Sequence, residues 1–103
     1  MNGRKSSVMK TILVVDRDNH NLAAMSEAFK RAGYGVITMD RGLSALDILN
    51  TLDIDLVISD TQIYQMDGYE LLSRVKERHP EVIRIIMGNS GEEAAAFKAI
   101  LHN

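Results

Sequence analysis

Asp55-Leu56-Val57-Ile58-Ser59-Asp60, continuing into Thr61-Gln62-Ile63-Tyr64-Gln65-Met66-Asp67-Gly68, is the stretch whose reading decides the fold. Leu56 to Ser59 form a short, largely apolar run that breaks at a carboxylate. That is the pattern of a strand buried on both faces which delivers one acid to its C-terminal edge. In an open parallel sheet, this edge is where ligands bind. Thr11-Ile12-Leu13-Val14-Val15 repeats the pattern and ends at Asp16. Two such strands bring a pair of carboxylates together from distant parts of the chain. Read alone, the same residues also fit acids that merely cap strand ends.

Downstream, a loop leads to a helix from about Gly68 to His79 with Leu71, Leu72 and Val75 inward, stopped by Pro80. Ile83 to Met87 reads as a fourth strand. Gly88-Asn89-Ser90-Gly91 then turns into a last helix carrying Ala94, Phe97 and Leu101. Upstream, Asn19 is the expected N-cap of a helix with Leu22, Met25, Phe29 and Ala32 at helical spacing, closed by Gly33. Val36 to Met39 makes a second strand. Leu43, Leu46, Leu49 and Leu52 are expected to form the inner face of the helix that follows it. Residues 1–9 are polar and basic and read as a flexible lead-in. Strands and helices alternate with short connections, which predicts an α/β fold: a doubly wound parallel sheet with helices on both faces.

Composition removes several function classes. The chain has 103 residues, enough for one domain, and its formal charge of −2 argues against a nucleic-acid surface or a polybasic membrane anchor. With no cysteine, thiolate metal sites and disulfides are excluded. No apolar stretch approaches a membrane span, so a cytoplasmic location is expected. His20, His79 and His102 have no metal-site spacing, and Met25, Met39, Met66 and Met87 fall on apolar faces as core filler. Gly33 and Gly35 precede a strand and form no dinucleotide fingerprint.

Ile12-Leu-Val-Val-Asp16, Asp55-Leu-Val-Ile-Ser-Asp60, the spacing to Met66-Asp67-Gly68 and the strand Arg84-Ile-Ile-Met87 together resemble the CheY-like receiver domain of bacterial two-component response regulators. The resemblance runs from about residue 10 to the chain end. It implies a flavodoxin-like sheet of order 2-1-3-4-5, cytoplasmic signalling, and a phospho-accepting aspartate at the position of Asp60. It also implies a divalent cation, usually Mg²⁺, held by Asp16, Asp60 and the backbone carbonyl of Gln62, because phosphoryl oxygens need neutralising while the nucleophile attacks. A histidine kinase would donate the phosphoryl group, and a downstream effector domain or protein would read the result.

Three departures qualify that expectation. The family's second acid directly follows the first and binds the metal; here it is Arg17, which donates hydrogen bonds and accepts none. Asp18, one residue late, is a candidate ligand in its place. The sequence therefore predicts weak or absent Mg²⁺ binding, with Arg17 either a tethered cation pairing with Asp60 or a side chain turned to solvent. Secondly, the family's phosphoryl-sensing Ser or Thr after the fourth strand falls on Gly88, leaving Gly88, Asn89 and Ser90 as candidate phosphoryl contacts at a helix N-terminus. Thirdly, the family's last strand, its lysine and its last helix would lie past Asn103. Residues 10–103 thus read as a receiver lacking those elements, with strand order 2-1-3-4 and a fourth-strand edge open to homodimerisation. A smaller change is Tyr64, where the family commonly has proline. The first reading is a receiver phosphorylated on Asp60, not an enzyme; the alternative is a degenerate pseudo-receiver acting as a phosphorylation-independent interaction module.

Overall fold

The computed structural model describes residues 9–88. Four strands and three helices alternate along the chain: β1 (Thr11–Val15), α1 (Asn19–Arg31), β2 (Gly35–Met39), α2 (Gly42–Thr51), β3 (Leu56–Asp60), α3 (Gly68–Arg78) and β4 (Ile83–Met87). All strand pairs are parallel and their order is β2-β1-β3-β4, the arrangement expected from the sequence. Among the described residues, β4 pairs on one side only, and Ile83 at its start is 63% exposed. Residues 1–8 of the expected 1–9 lead-in, the expected last helix, Asn89 and Ser90 lie outside the described residues.

Alternation along the strands divides the core in two. Leu13, Val15 and Val57 point to one face of the sheet, where Ala45, Leu46 and Leu49 of α2 and Leu71, Leu72 and Val75 of α3 cover them. Ile12, Val14 and Ile58 point to the other, where Leu22 and Phe29 of α1 pack. Because both faces are covered, the central strands carry unbroken apolar runs rather than alternating ones. Met39 and Met66 pack against the first cluster, and Met25 and Met87 against the second, as gap-filling thioethers do.

Several local expectations are corrected. The N-cap of α1 is Asp18 rather than Asn19: its Oδ1 accepts from the amides of His20 (2.8 Å) and Asn21 (3.3 Å). Ala32 is not part of the inner face but the exposed C-cap, followed by Gly33 at φ 98°. Leu43 and Leu52 are 49% and 47% exposed, and Ala45 takes the buried position between them. The reason is that α2 begins at Gly42 and ends at Thr51, so Leu52 leaves the helix in an extended conformation while Ala45, Leu46 and Leu49 form the inner stripe. No described helix is long and apolar enough to cross a membrane.

Candidate functional site

Strand register places the two acids. Val15 of β1 lies opposite Ser59 of β3, so Asp16 and Asp60 are the next residues on neighbouring strands, at the C-terminal edge of the sheet. Asp16 is buried, at 2% exposure, and none of its polar atoms is left without a partner. Its Oδ1 accepts from the amide of Asp18 (3.0 Å) and its Oδ2 from the side-chain amide of Asn21 (3.3 Å). Asp60 is half-buried, and its Oδ2 accepts from the amide of Gln62 (3.1 Å). Among the described residues, its Oδ1 accepts no hydrogen bond.

Burial pushes the Asp16 carboxyl above the usual carboxylate range; the Asp18 amide pulls it back, and the charge of Asp60 pushes it up again. A carboxyl whose folded pKa exceeds its unfolded value stabilises the fold below the unfolded value, and that stability is lost as pH rises through the folded one. Asp16 therefore costs stability at neutral pH. We expect Asp16→Asn to raise the urea midpoint at pH 7 by the equivalent of about 1 kcal/mol, with the Asn21 amide turning to present its oxygen. The gain should shrink toward zero as the pH of the titration is lowered past 3.8, the ordinary value for the group.

Arg17 does not pair with Asp60. Its Nη2 donates to the side-chain Oε1 of Gln62 at 2.6 Å, which ties the guanidinium to the loop that follows Asp60. Asp18 is held as the α1 cap, and no group of three His, Asp or Glu side chains among the described residues is placed to hold a metal. A Mg²⁺ ion at this edge would find Asp16 with both oxygens already accepting hydrogen bonds, Asp60 with one oxygen engaged and, in the third place, a fixed cation with no lone pair to offer. The donor set does not fit the ion.

The loop from Thr61 to Asp67 is fastened at both ends. Gly68 donates its amide to the carbonyl of Thr61 (2.9 Å), and Asp67 caps α3 by accepting from the amide of Glu70 (2.8 Å). Between them, the Tyr64 amide donates to the Asp40 carbonyl and the Gly42 amide to the Tyr64 carbonyl, each at 3.0 Å. The first of these bonds needs an N–H that a proline at position 64 would not have. The Arg41 guanidinium lies 5.6 Å from the Tyr64 ring centroid, and Gln65, at φ 78°, caps α2 by accepting from the Leu43 amide (2.9 Å). This bracing was not foreseen, although Arg41 has no capping side chain and the helix needed an acceptor from elsewhere. Asp55, in the short connection before β3, accepts from the Thr11 amide through its Oδ2 (2.8 Å) and fixes the start of β1 against β3. Gly88 ends the described chain just past β4, half-buried.

Residues 12–103 match the family described as the response regulator receiver domain. The DNA-binding transcriptional regulator NtrC of Klebsiella pneumoniae is 35% identical over 86 residues, which cover 84% of this chain and 18% of that protein. Sporulation initiation phosphotransferase F of Bacillus subtilis is 38% identical over 81 residues, covering 79% of this chain and 65% of its own. Among solved structures, the signal receiver domain of an HD domain-containing protein from Pseudomonas fluorescens Pf-5 superposes with a TM-score of 0.76 at 29% identity, over 89% of this chain and 74% of that one. The chain therefore spans less than two thirds of the length of each of these two curated relatives.

Proposed function

The chain belongs to the receiver-domain family of bacterial two-component response regulators, and we propose that Asp60 is its phosphoryl acceptor. The observation that carries this reading is the half-buried Asp60 carboxylate at the sheet edge beside Asp16, one oxygen fixed by the Gln62 amide. The second oxygen attacks the phosphorus of a phosphohistidine on a histidine kinase. The P–N bond breaks, the histidine nitrogen keeps the electron pair, and an aspartyl phosphate results. The loop that follows Asp60 is tied to the β2–α2 turn through Asp40, Gly42 and Leu43. A change at Asp60 thus reaches a second surface loop, where an effector domain or protein can read it.

A divalent cation supplies positive charge to the transferring phosphoryl group in sites of this kind; with Arg17 at the rim, Mg²⁺ binds here weakly or not at all. Intact-mass measurement after incubation with acetyl phosphate tests the acceptor. One phosphoryl adduct is expected on the wild type and none on Asp60→Asn. A folded wild-type protein that takes no adduct would leave the phosphorylation-independent interaction module as the better reading.

A further inference from the structure

Taking Asp60 as the acceptor, we propose that Arg17 supplies the positive charge for phosphoryl transfer, so that the site is phosphorylated without a divalent metal, and that Gln62 holds the guanidinium ready. Among the described residues, two cations reach the loop after Asp60. Arg41 is committed: it pairs with both oxygens of Asp40 (2.7 and 3.3 Å) and lies over the Tyr64 ring. Among the described residues, Arg17 is committed only to a neutral amide oxygen, that of Gln62, and lies exposed at the rim. Gln62 is also the residue whose backbone amide fixes Asp60 Oδ2, so the guanidinium is docked on the acceptor's own support.

A phosphoryl group arriving at Asp60 presents oxygens carrying full negative charge. A charge-assisted bond to them is stronger than the one to a neutral amide, and the planar fork of arginine engages two such oxygens at once. Arg17 therefore leaves Gln62 for the phosphoryl group. In the transfer from acetyl phosphate, an Asp60 oxygen bonds to phosphorus, the P–O bond breaks, and acetate departs with the electron pair while Arg17 balances the charge on the remaining oxygens. Asp16 and Asp18 stay where their hydrogen bonds hold them, on the α1 side of the edge.

The test follows the rate of Asp60 labelling by acetyl phosphate, in Mg²⁺ and in EDTA, for wild type, Arg17→Ala, Arg17→Asp and Gln62→Ala, with Mg²⁺ titrated calorimetrically into each unphosphorylated protein. Wild type should label equally fast in both buffers and give no Mg²⁺ binding heat. Arg17→Ala should lose about 10²–10³-fold in EDTA, the effect of deleting one preorganised electrostatic partner. Arg17→Asp should bind Mg²⁺ and label only when it is present. Gln62→Ala should slow labelling but leave it indifferent to metal. Wild-type labelling that requires Mg²⁺, or Arg17→Ala labelling at the wild-type rate in EDTA, overturns the role of Arg17 while sparing Asp60 as acceptor. Absence of labelling in every protein and buffer overturns the acceptor itself and this inference with it.

Discussion

Gly68→Ala is expected to destabilise the domain by about 3–5 kcal/mol, and Gly42→Ala by less than about 1.5 kcal/mol. Both glycines are buried first residues of helices, and neither has a positive φ, so conformational freedom does not separate them. What separates them is the neighbour. A Cβ on Gly68 would fall on the backbone carbonyl oxygen of Asp60 and come within 2.9 Å of Ile86 Cδ1. The strand cannot yield there without breaking its ladder with β4, because Asp60 is in register with Met87 and the Thr61 amide donates to the Met87 carbonyl. A Cβ on Gly42 would meet Met66 Cγ, Sδ and Cε at 2.5–2.8 Å, the atoms of an unbranched side chain that can rotate away. Urea unfolding of the two variants reads the difference directly. In a domain whose total stability is of order 5–15 kcal/mol, the first substitution removes a large share. Equal effects at the two positions would show that α3 does not bear on the backbone at the end of β3.

The same contact explains what the sequence could and could not disclose. The strands and the meeting of Asp16 with Asp60 were legible because buried parallel strands are written as apolar runs that stop at a polar residue; the order of the strands came only from the resemblance to the receiver family. Asp67-Gly68 was legible as a helix start, but not as the place where α3 touches the backbone of Asp60. Through-space details of that kind leave no local signature. The capping of α2 by Gln65 from 22 residues away is another case, and so is the Thr11–Asp55 bond. Arg17 stands between these extremes. Its chemistry, a fixed cation among acids, was evident from the residues alone. Its partner was not, because an exposed arginine has many staggered conformers and the sequence ranks Asp60 above Gln62 on charge. In the fold, Asp60 Oδ2 is engaged by the Gln62 amide, and the guanidinium meets the Gln62 side chain at the rim. Asn19 and Asp18 differ by one position and both suit an N-cap; the turn from Asp16, whose Oδ1 accepts from the Asp18 amide, decides for Asp18.

Phe29→Ala should cost about 3–5 kcal/mol, and Phe29→Leu under about 1.5 kcal/mol. Phe29 is 2% exposed, packs edge-to-face with Tyr34 at a centroid distance of 6.3 Å, and is one of only two buried residues of α1, with Leu22. Among the described residues, α1 is the helix that covers the Ile12, Val14 and Ile58 face of the sheet, and no other described helix lies over the cavity that alanine would leave. The loss should not stay in the core. The N-terminus of the same helix carries the Asp18 cap and presents Asn21 to Asp16. A loosened α1 frees one of the two hydrogen bonds that hold the buried acid beside Asp60. Native-state hydrogen exchange should therefore show protection falling in Phe29→Ala at the amides of His20 and Asn21, which donate to the cap, before it falls at the β3 amides. Loss of protection at β3 and α1 together would mean that the fold opens as a single unit. In that case the acid pair would be held by the sheet alone, and α1 would be a cover over it with no part in its geometry.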